Sequence, residues 1–356
     1  MNRTVIGLAK RMVWSVLAMF HRIGMSAAFA YVANRFRSKA SFPFVRGRSQ
    51  RNVQILVYHR VRQSPDSFLP STPLASFEKQ MECLARRFRV LNLVEAVEAL
   101  ARGDVPDNAV VITFDDGYRD NFDLAYPILT ALSLDATIFL TTGVIGTHRL
   151  LWHDRVFRAF NETGESTLRE FIPRTEVAGL ENPAQKQSSL DRVLGYLKSL
   201  GPDQRDRRID ELEDRLGVEG SDPPTRLMLS WEEVRQMQRD GVSFGAHTVT
   251  HPTLTRVPLD RAAWEIVESK RQLEQRLQTE VKAFAYPNGR RGDFDASTKQ
   301  ILREAGFTCA VTTMFGANPA NGNGRPWDRW ELHRGGPDES DPGLFAAKMN
   351  VYKFLA

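Results

Sequence analysis

Two adjacent carboxylates after an apolar run are the residues best placed to do chemistry in this chain. Residues 110–112 (Val-Val-Ile) are β-branched and uncharged, which predicts a strand buried on both faces. Asp115 and Asp116 follow that run, and Gly117 comes directly after them. Because neighbouring side chains of a strand point to opposite faces, the two carboxylates cannot both enter an apolar core. At the strand's C-terminal end both can turn into a cleft.

A second polar motif follows another strand-like segment. Residues 244–252 read Phe-Gly-Ala-His-Thr-Val-Thr-His-Pro, which places His247 and His251 four residues apart. On one helical turn or in a tight loop, this spacing lets both imidazoles face one metal ion. Asp115 or Asp116 would complete a site of two histidines and one carboxylate, with open positions for water and substrate. Either motif alone could be an ordinary polar loop after a buried strand.

Taken together, the two motifs resemble a known family. The sequences TFDDGY at 113–118 and HTVTH at 247–251 are similar to those of polysaccharide deacetylases, the NodB-homology group of carbohydrate esterase family four. The resemblance implies that Asp115 is the catalytic base and that the cofactor is a divalent metal, zinc before cobalt or nickel. It implies three metal ligands: Asp116, His247 and His251.

The resemblance also implies roles for later residues. The backbone N–H near Tyr118 would help to hold the oxyanion, and His333 is the positional candidate for the general acid in a Leu-x-His motif. The match there is imperfect, because Leu332 directly precedes His333, so Arg334 could face the cleft instead. The expected substrate and oxyanion contacts are Tyr118, Tyr286, Pro287, Asn288 and Arg334.

One departure from the family pattern concerns the base. In the family, an arginine two residues before a proline orients the base aspartate, and this chain has Ala285 at that position, before Tyr286-Pro287. The metal ligands are unaffected by the change. Three arginines could substitute: Arg290, Arg291 and Arg334.

The order of elements predicts an α/β fold. Apolar strands alternate with helical patterns over residues 52–146 and 227–356, which indicates parallel βαβ units. The family's fold, a distorted barrel of the (β/α)7 type, agrees with this count. Residues 147–226 interrupt the alternation with polar, mostly helical patterns and no strand pattern, so we expect a helical insertion above the catalytic mouth. Trp152 and His153 at its start could line a sugar groove or anchor the insertion.

Charge is concentrated in an N-terminal arm. Residues 1–51 hold ten Lys/Arg and no Asp or Glu, whereas the rest of the chain has 38 basic and 43 acidic residues. The apolar runs of the arm are too short for a membrane span. One basic face predicts a helix lying on an anionic membrane surface, hence a cytoplasmic protein peripheral to the inner membrane. The alternatives are an exported protein with a signal peptide cleaved near 28–30, and a helix packed on the catalytic domain.

These observations favour one function over two alternatives. The leading hypothesis is a metal-dependent hydrolase that removes N-acetyl groups from amino sugars of a surface or exopolysaccharide, or of its lipid-linked precursor. The alternatives are an O-acetyl esterase or other amidase with the same metal site, and a catalytically silent glycan-binding assembly protein. No nucleic-acid motif accompanies the basic residues. Cys83 and Cys309 lie in apolar surroundings and are expected to pack as small buried side chains.

Overall fold

The computed structural model describes residues 51–64, 71–173, 177–218, 225–320 and 327–336, with 344, 345, 348 and 349. The arm at 1–50 and its predicted membrane helix lie outside these residues. Among the described helices, none is both long and apolar enough to cross a membrane. Both cysteines are free thiols; Cys309 is buried and Cys83 is partly buried.

The structure contains twelve strands among the described residues. They are β1 (Asn52–Tyr58), β2 (Val61–Arg62), β3 (Thr72–Pro73), β4 (Arg89–Val90), β5 (Ala109–Phe114), β6 (Thr137–Leu140), β7 (Thr167–Arg169), β8 (Val177–Gly179), β9 (Ser243–Ala246), β10 (Ala283–Ala285), β11 (Cys309–Val311) and β12 (Asn318–Pro319).

A curled parallel sheet forms the centre of the molecule, and the predicted α/β barrel class is confirmed. Its strand order is β11-β10-β9-β6-β5-β1, with β12 antiparallel on β1. The segment 332–335 bridges the two outer strands of the parallel set, because Leu332 pairs with Val311 of β11 and Gly335 pairs with Leu56 of β1. It therefore occupies the place of a seventh strand between β11 and β1.

Helices cover the sheet and also form a separate layer. Their bounds are α1 (Leu74–Arg87), α2 (Leu93–Arg102), α3 (Tyr126–Ala131), α4 (Trp152–Glu162), α5 (Pro183–Lys198), α6 (Pro202–Arg215), α7 (Trp231–Arg239), α8 (Leu259–Leu277) and α9 (Ala296–Glu304). Successive side chains of strand β5 point to opposite faces of the sheet, and each face packs on an apolar cluster. Val110 and Ile112 belong to one cluster and Val111 belongs to the other. Both faces of this strand are therefore buried, as its sequence predicts.

Local residue types agree only in part with the structure. Helix α1 begins at Leu74 after Pro73, whereas Ser76, a residue type favoured at helix N-caps, is buried within the first turn. Residues 226–229 form no strand of the barrel, and only Met228 makes an isolated bridge, to Tyr118. In the Gly-, Asn- and Pro-rich segment 316–326, β12 pairs with β1, while 321–326 lie outside the described residues. Ser230 and Glu233 form a capping box at the start of α7.

The stretch between β6 and β9 contains helices α4, α5 and α6. They share an apolar cluster that includes Phe160, Leu190 and Ile209. A short antiparallel hairpin, β7–β8, also lies here, contrary to the expectation that no strand would form. Its strands have three residues each, which is too short for alternation to be visible in sequence. The stretch thus has a core of its own.

Candidate active site

A strained turn at the end of β5 presents the two aspartates. Asp116 has φ of 73° and Gly117 has φ of 85°, both in the left-handed region. For Asp116 this conformation carries a strain that surrounding structure must offset. A Cβ at Gly117 would lie 2.6 Å from the Leu140 side chain and 2.9 Å from that of Ile145, so only glycine fits there. The turn allows Asp115 and Asp116 to face one cleft.

The loop after β9 brings both predicted histidines to Asp116. The Oδ1 atom of Asp116 lies 3.5 Å from His247 Nε2 and 3.4 Å from His251 Nε2. One ligand atom from each of the three residues lies within 4.8 Å of the others. The loop is also strained, with φ of 65° at Thr248 and 56° at His251. The Thr248 hydroxyl accepts a hydrogen bond from the backbone N–H of His251, which fixes the second histidine.

The chemistry of this cluster fits a divalent cation. Asp116 Oδ1 is buried and has no hydrogen-bond partner among the described residues, although it faces both imidazoles. Burial, with the nearby charges of Asp115 and Asp154, raises the pKa of Asp116 well above its usual value, so a cation is needed to hold the carboxylate ionised. Burial lowers the pKa of His247 to about 4, which keeps its imidazole neutral. Neutral imidazole is the form that binds metal.

The orientation of His247 is fixed by the backbone of β10. Its Nδ1 lies 2.7 Å from the carbonyl oxygen of Ala285, which can only accept a hydrogen bond. His247 therefore carries its proton on Nδ1 and turns the Nε2 lone pair toward Asp116. This is the arrangement by which carbonyl groups orient metal-binding histidines.

Arg334 holds the predicted base. Its two terminal nitrogens donate to the two carboxylate oxygens of Asp115, each at 2.7 Å, and its Nε donates to the Thr312 carbonyl oxygen at 2.7 Å. Arg334 is only 1% exposed. Burial alone would raise the pKa of Asp115, but the charge and hydrogen bonds of Arg334 outweigh it and lower the pKa to about 2. Of the three candidates for the family arginine absent at Ala285, the structure brings Arg334 to the base.

This position changes the expected role of Arg334. It was predicted to contact the substrate or the oxyanion, but its guanidinium is fully engaged with Asp115, the Thr312 carbonyl and the Thr113 hydroxyl. Five N–H donors in a fixed fork suit this enclosed site, because a buried carboxylate needs a paired and hydrogen-bonded counterion. Arg334 is therefore a positioning residue for the base.

The turn after β10, where Tyr286, Pro287 and Asn288 are predicted to contact substrate, makes several contacts within the protein. The Tyr286 hydroxyl donates to the Trp330 carbonyl oxygen, and its ring stacks on Phe294 with centroids 4.2 Å apart. Pro287 is buried. Asn288 has φ of 60° and donates from Nδ2 to the Thr253 hydroxyl. The turn therefore supports the histidine loop from behind.

His333 points away from Arg334 along the extended segment 332–335. Its backbone N–H and C=O both pair with the Asn318 side chain. Its ring lies against Gly316, where a Cβ would be 2.4 Å from His333 Nδ1. In the described part of the chain, no contact joins His333 to the aspartates. Its role as general acid stays a prediction.

His59 lies at the cleft on the other side of the base. Its Nε2 is 3.9 Å from Asp115 Oδ2, and its side chain is 46% exposed. A residue that directly follows β1 can either face the cleft or serve a structural role. Its exposure and its distance from Asp115 place it where a substrate could reach it.

The helical insertion between β6 and β9 contributes side chains to the site, of which the sequence analysis named Trp152 and His153 but not Asp154. The Tyr118 hydroxyl donates to Asp154 Oδ1 at 3.0 Å and lies 3.0 Å from His153 Nε2. Because the hydroxyl has a single hydrogen, His153 is the donor in the second bond. His153 also lies 3.9 Å from Asp116 Oδ2, so helix α4 closes one side of the cluster of Asp116, His247 and His251. Trp152 is buried there, consistent with the anchoring alternative.

Glu265 of α8 is a supporting residue that the sequence analysis missed. It is fully buried, and its carboxylate accepts hydrogen bonds from the backbone N–H groups of Val249 and Thr250 and from the Thr250 hydroxyl. A signal was present in the sequence, since Glu265 lies on the helix face that buries Ala262 and Ile266. An acidic residue on an apolar face needs a partner.

We expect Glu265→Gln to weaken metal binding about tenfold, because one amide oxygen replaces two acceptor oxygens and the histidine loop loosens. The measurement is the metal dissociation constant by competition with a chromophoric chelator. Glu268→Gln, on the same helix beside Arg271, is the matched control and should bind metal like the wild type. Unchanged affinity in Glu265→Gln would contradict this positioning role.

Comparison with known proteins assigns the family. A profile described as "Polysaccharide deacetylase" matches residues 102–310. The Bacillus subtilis (strain 168) protein described as "Putative polysaccharide deacetylase YxkH" is 30% identical over 302 residues, covering 84% of this chain and 75% of that protein.

Solved structures share the fold. The deacetylase PplD of Streptococcus pyogenes, solved in complex with acetate, has a TM-score of 0.56 at 21% identity, over 84% of this chain and 99% of that one. IcaB from Ammonifex degensii has a TM-score of 0.52 at 20% identity, over 84% and 97%. With the family profile and the B. subtilis relative, the chain belongs to the polysaccharide deacetylase family, the NodB-homology group of carbohydrate esterases, and is a hydrolase of that family.

Proposed function

We propose that this protein removes N-acetyl groups from amino sugars of a surface or exopolysaccharide, with Asp115 as the base. The proposal rests on two neighbouring groups of side chains. In one, Arg334 fixes Asp115; in the other, Asp116, His247 and His251 form a cluster that could hold a metal ion. Structural similarity to IcaB is in keeping with a deacetylase fold. The catalytically silent alternative loses its main support, since Arg334 supplies the guanidinium that Ala285 lacks.

The residues divide the work of amide hydrolysis. A divalent cation, zinc in our proposal, would be held by Asp116, His247 and His251 and would supply Lewis-acid activation of the water and the acetyl carbonyl. Asp115 takes the proton of the attacking water, because each of its oxygens retains a lone pair beyond the bond to Arg334. The backbone N–H of Tyr118, which has no acceptor among the described residues, donates to the developing oxyanion. Protonation of the leaving amine is left to a histidine at the cleft.

His59 is our candidate for that proton donor, with His333 as the sequence-based alternative. We expect His59→Gln to lower kcat by about 10²-fold, because His59 faces the cleft beside Asp115. His333→Gln is the matched comparison and should change kcat little, since its ring lies against Gly316. Steady-state release of acetate checks both variants. A large loss in His333→Gln alone would restore the sequence-based assignment.

The test of the function combines metal content with turnover. We expect about one zinc per chain by elemental analysis, and release of acetate from an N-acetylglucosamine oligomer that stops with a chelator and returns with zinc. Faster release from an O-acetylated glycan would favour the esterase alternative. Absence of both metal and turnover would contradict the proposal.

We further propose that residues 1–51 dock on the inner membrane and that the substrate can be lipid-linked. Co-sedimentation of the protein with vesicles of anionic lipid tests the docking.

A further inference from the structure

The side chain of Tyr118 links the catalytic turn to the helical insertion. Tyr118 is buried, and its hydroxyl donates to Asp154 Oδ1 of α4 at 3.0 Å. The same hydroxyl lies 3.0 Å from His153 Nε2, so two consecutive residues of α4 bind it. Tyr118 follows Asp116 by two positions, and its backbone N–H is the proposed oxyanion donor. A contact made by the insertion therefore reaches the residue that carries this donor.

Backbone pairing sets the direction of the Tyr118 N–H. Tyr118 forms an isolated antiparallel bridge with Met228. Its two neighbours make the hydrogen bonds to segment 227–229: the Arg119 N–H donates at 2.8 Å, and the Gly117 carbonyl oxygen accepts at 2.9 Å. Because successive residues of a paired strand direct their N–H groups to opposite edges, the N–H of Tyr118 points away from this segment.

The ring of Tyr118 is also held from the side of Arg60. The central guanidinium carbon of Arg60 lies 4.7 Å from the ring centroid, an arrangement in which the cation is attracted to the aromatic face. Arg60 Nε in turn donates to Asp120 Oδ2 at 2.8 Å. These contacts hold the ring, whereas the contacts printed by the fold for the hydroxyl are those with Asp154 and His153.

Helix α4 is itself fixed by the core of the insertion. The buried carboxylate of Glu213 on α6 accepts hydrogen bonds from Arg155 Nε at 3.2 Å and from Arg158 at 3.1 Å, both residues of α4. Phe160, near the end of α4, packs in the apolar cluster shared with α5 and α6. Charge-assisted hydrogen bonds to a buried carboxylate resist displacement of the helix. The place of Asp154 is therefore set by the packing of the insertion.

Asp154 occupies an unfavourable place for a carboxylate. It is 3% exposed, and its Oδ2 atom has no hydrogen-bond partner among the described residues. Burial of a carboxylate costs free energy unless its oxygens are paired. An apolar side chain would be buried here at lower cost, so the presence of the carboxylate is explained by the Tyr118 hydroxyl that it binds.

We infer that Asp154 is a positioning residue for the oxyanion donor. It holds the Tyr118 hydroxyl, and together with the backbone pairing at 227–229 this fixes the peptide group that contains the N–H. An oxyanion donor is effective only when it is held where the negative charge develops, and a displacement of about 1 Å can cost on the order of 10²-fold in rate. This inference rests on the proposed function, in which that N–H stabilises the oxyanion.

Asp154→Ala should lower kcat for an N-acetylglucosamine oligomer about tenfold and leave KM and the zinc dissociation constant unchanged. An interaction made only in the transition state changes kcat and not KM. The loss is smaller than the roughly 10²–10³-fold that follows removal of an oxyanion donor, because the N–H is still present but is no longer held. Asp154→Asn keeps an acceptor oxygen for the hydroxyl and should retain most of the wild-type kcat.

Two further variants test whether the effect passes through Tyr118. Tyr118→Phe keeps the ring and the backbone N–H but removes the hydroxyl, so it should lose as much kcat as Asp154→Ala. The double variant should lose no more than either single variant, because both remove the same contact. Asp203→Ala is the matched control, since Asp203 also lies in the first turn of an insertion helix but is exposed, and it should keep the wild-type kcat. Additive losses, or wild-type kcat in Asp154→Ala, would overturn the inference.

The position of the N–H can be followed without turnover by NMR of the zinc-loaded protein labelled with ¹⁵N-tyrosine. The amide signal of Tyr118 is the one that is absent from Tyr118→Phe. We expect this signal to shift or broaden in Asp154→Ala and to match the wild type in Asp154→Asn and Asp203→Ala, while the signals of the other tyrosines stay in place. An unchanged Tyr118 signal in Asp154→Ala would overturn the positioning role.

Failure of the function and failure of the positioning role give different results. If the zinc-loaded wild type releases no acetate from the N-acetylated oligomer, the proposed function fails. The amide signal then decides whether Asp154 positions Tyr118. If the wild type is active and Asp154→Ala has the same kcat, the function stands and the inference about Asp154 fails.

Discussion

Arg334→Met is expected to lower the free energy of unfolding by about 3–5 kcal/mol, because it leaves the Asp115 carboxylate buried without its counterion. The guanidinium donates two hydrogen bonds of 2.7 Å to that carboxylate, and both side chains are buried. Chemical denaturation followed by circular dichroism measures the loss. Arg329→Met, an exposed arginine on the same part of the chain, is the control and should change stability little.

A double variant separates stability from catalysis. Asp115→Asn combined with Arg334→Met removes both charges, so it should regain part of the lost stability while remaining inactive. If Arg334→Met alone is as stable as the wild type, the buried pair contributes less than its geometry indicates.

The same substitution has an expected effect on pH dependence. With Arg334 present, the pKa of Asp115 is about 2, below its ordinary 3.8. Because the folded-state pKa is the lower one, this group stabilises the protein above pH 3.8, and the contribution is lost as the pH falls toward 2. Without Arg334 the pKa of Asp115 rises, so the acidic limb of kcat/KM should move to higher pH in the variant. A pH–rate profile of both proteins shows the shift, and coincident acidic limbs would contradict it.

Asp115→Asn is expected to lower kcat by about 10²–10⁴-fold while the metal content stays unchanged. The amide cannot accept the proton of the attacking water, whereas the cluster of Asp116, His247 and His251 does not include Asp115. Acetate release and elemental analysis on the same preparation measure both quantities. Asp135→Asn, an exposed aspartate before β6, is the control and should retain full activity.

Two results would contradict the assignment of Asp115 as base. One is full activity in Asp115→Asn, which would show that another group takes the proton. The other is loss of the metal together with activity, which would make Asp115 a ligand. In that second case the sequence alternative, in which either aspartate completes the metal site, would apply.

The sequence predicted the local features of the site well. Runs such as 110–112 are buried on both faces, and a strand that ends in two carboxylates and a glycine can only expose them in a turn. The capping box on α7 and the spacing of His247 and His251 are likewise short-range patterns. Each of these depends on residues a few positions apart, where backbone geometry alone decides which side chains meet.

Partners distant in sequence could not be predicted in this way. Arg334 binds Asp115 although 219 residues separate them in the sequence. Arg334, and not Arg290 or Arg291, reaches the base because segment 332–335 pairs with both β11 and β1. That register turns Arg334 inward and His333 toward Gly316. The family resemblance implies that Tyr286 contacts the substrate, but its contacts with Phe294 and Trp330 place its side chain in the core.

The sequence by itself determined the family, the barrel class and the residues that end its strands, because these follow from apolar periodicity and short motifs. Only the tertiary structure decided which arginine holds the base, that Glu265 supports the histidine loop, and that His153 of the helical stretch reaches the cleft. The physical reason is that side-chain pairing across a barrel depends on strand register and on the packing of distant helices. Neither leaves a periodic trace in the chain.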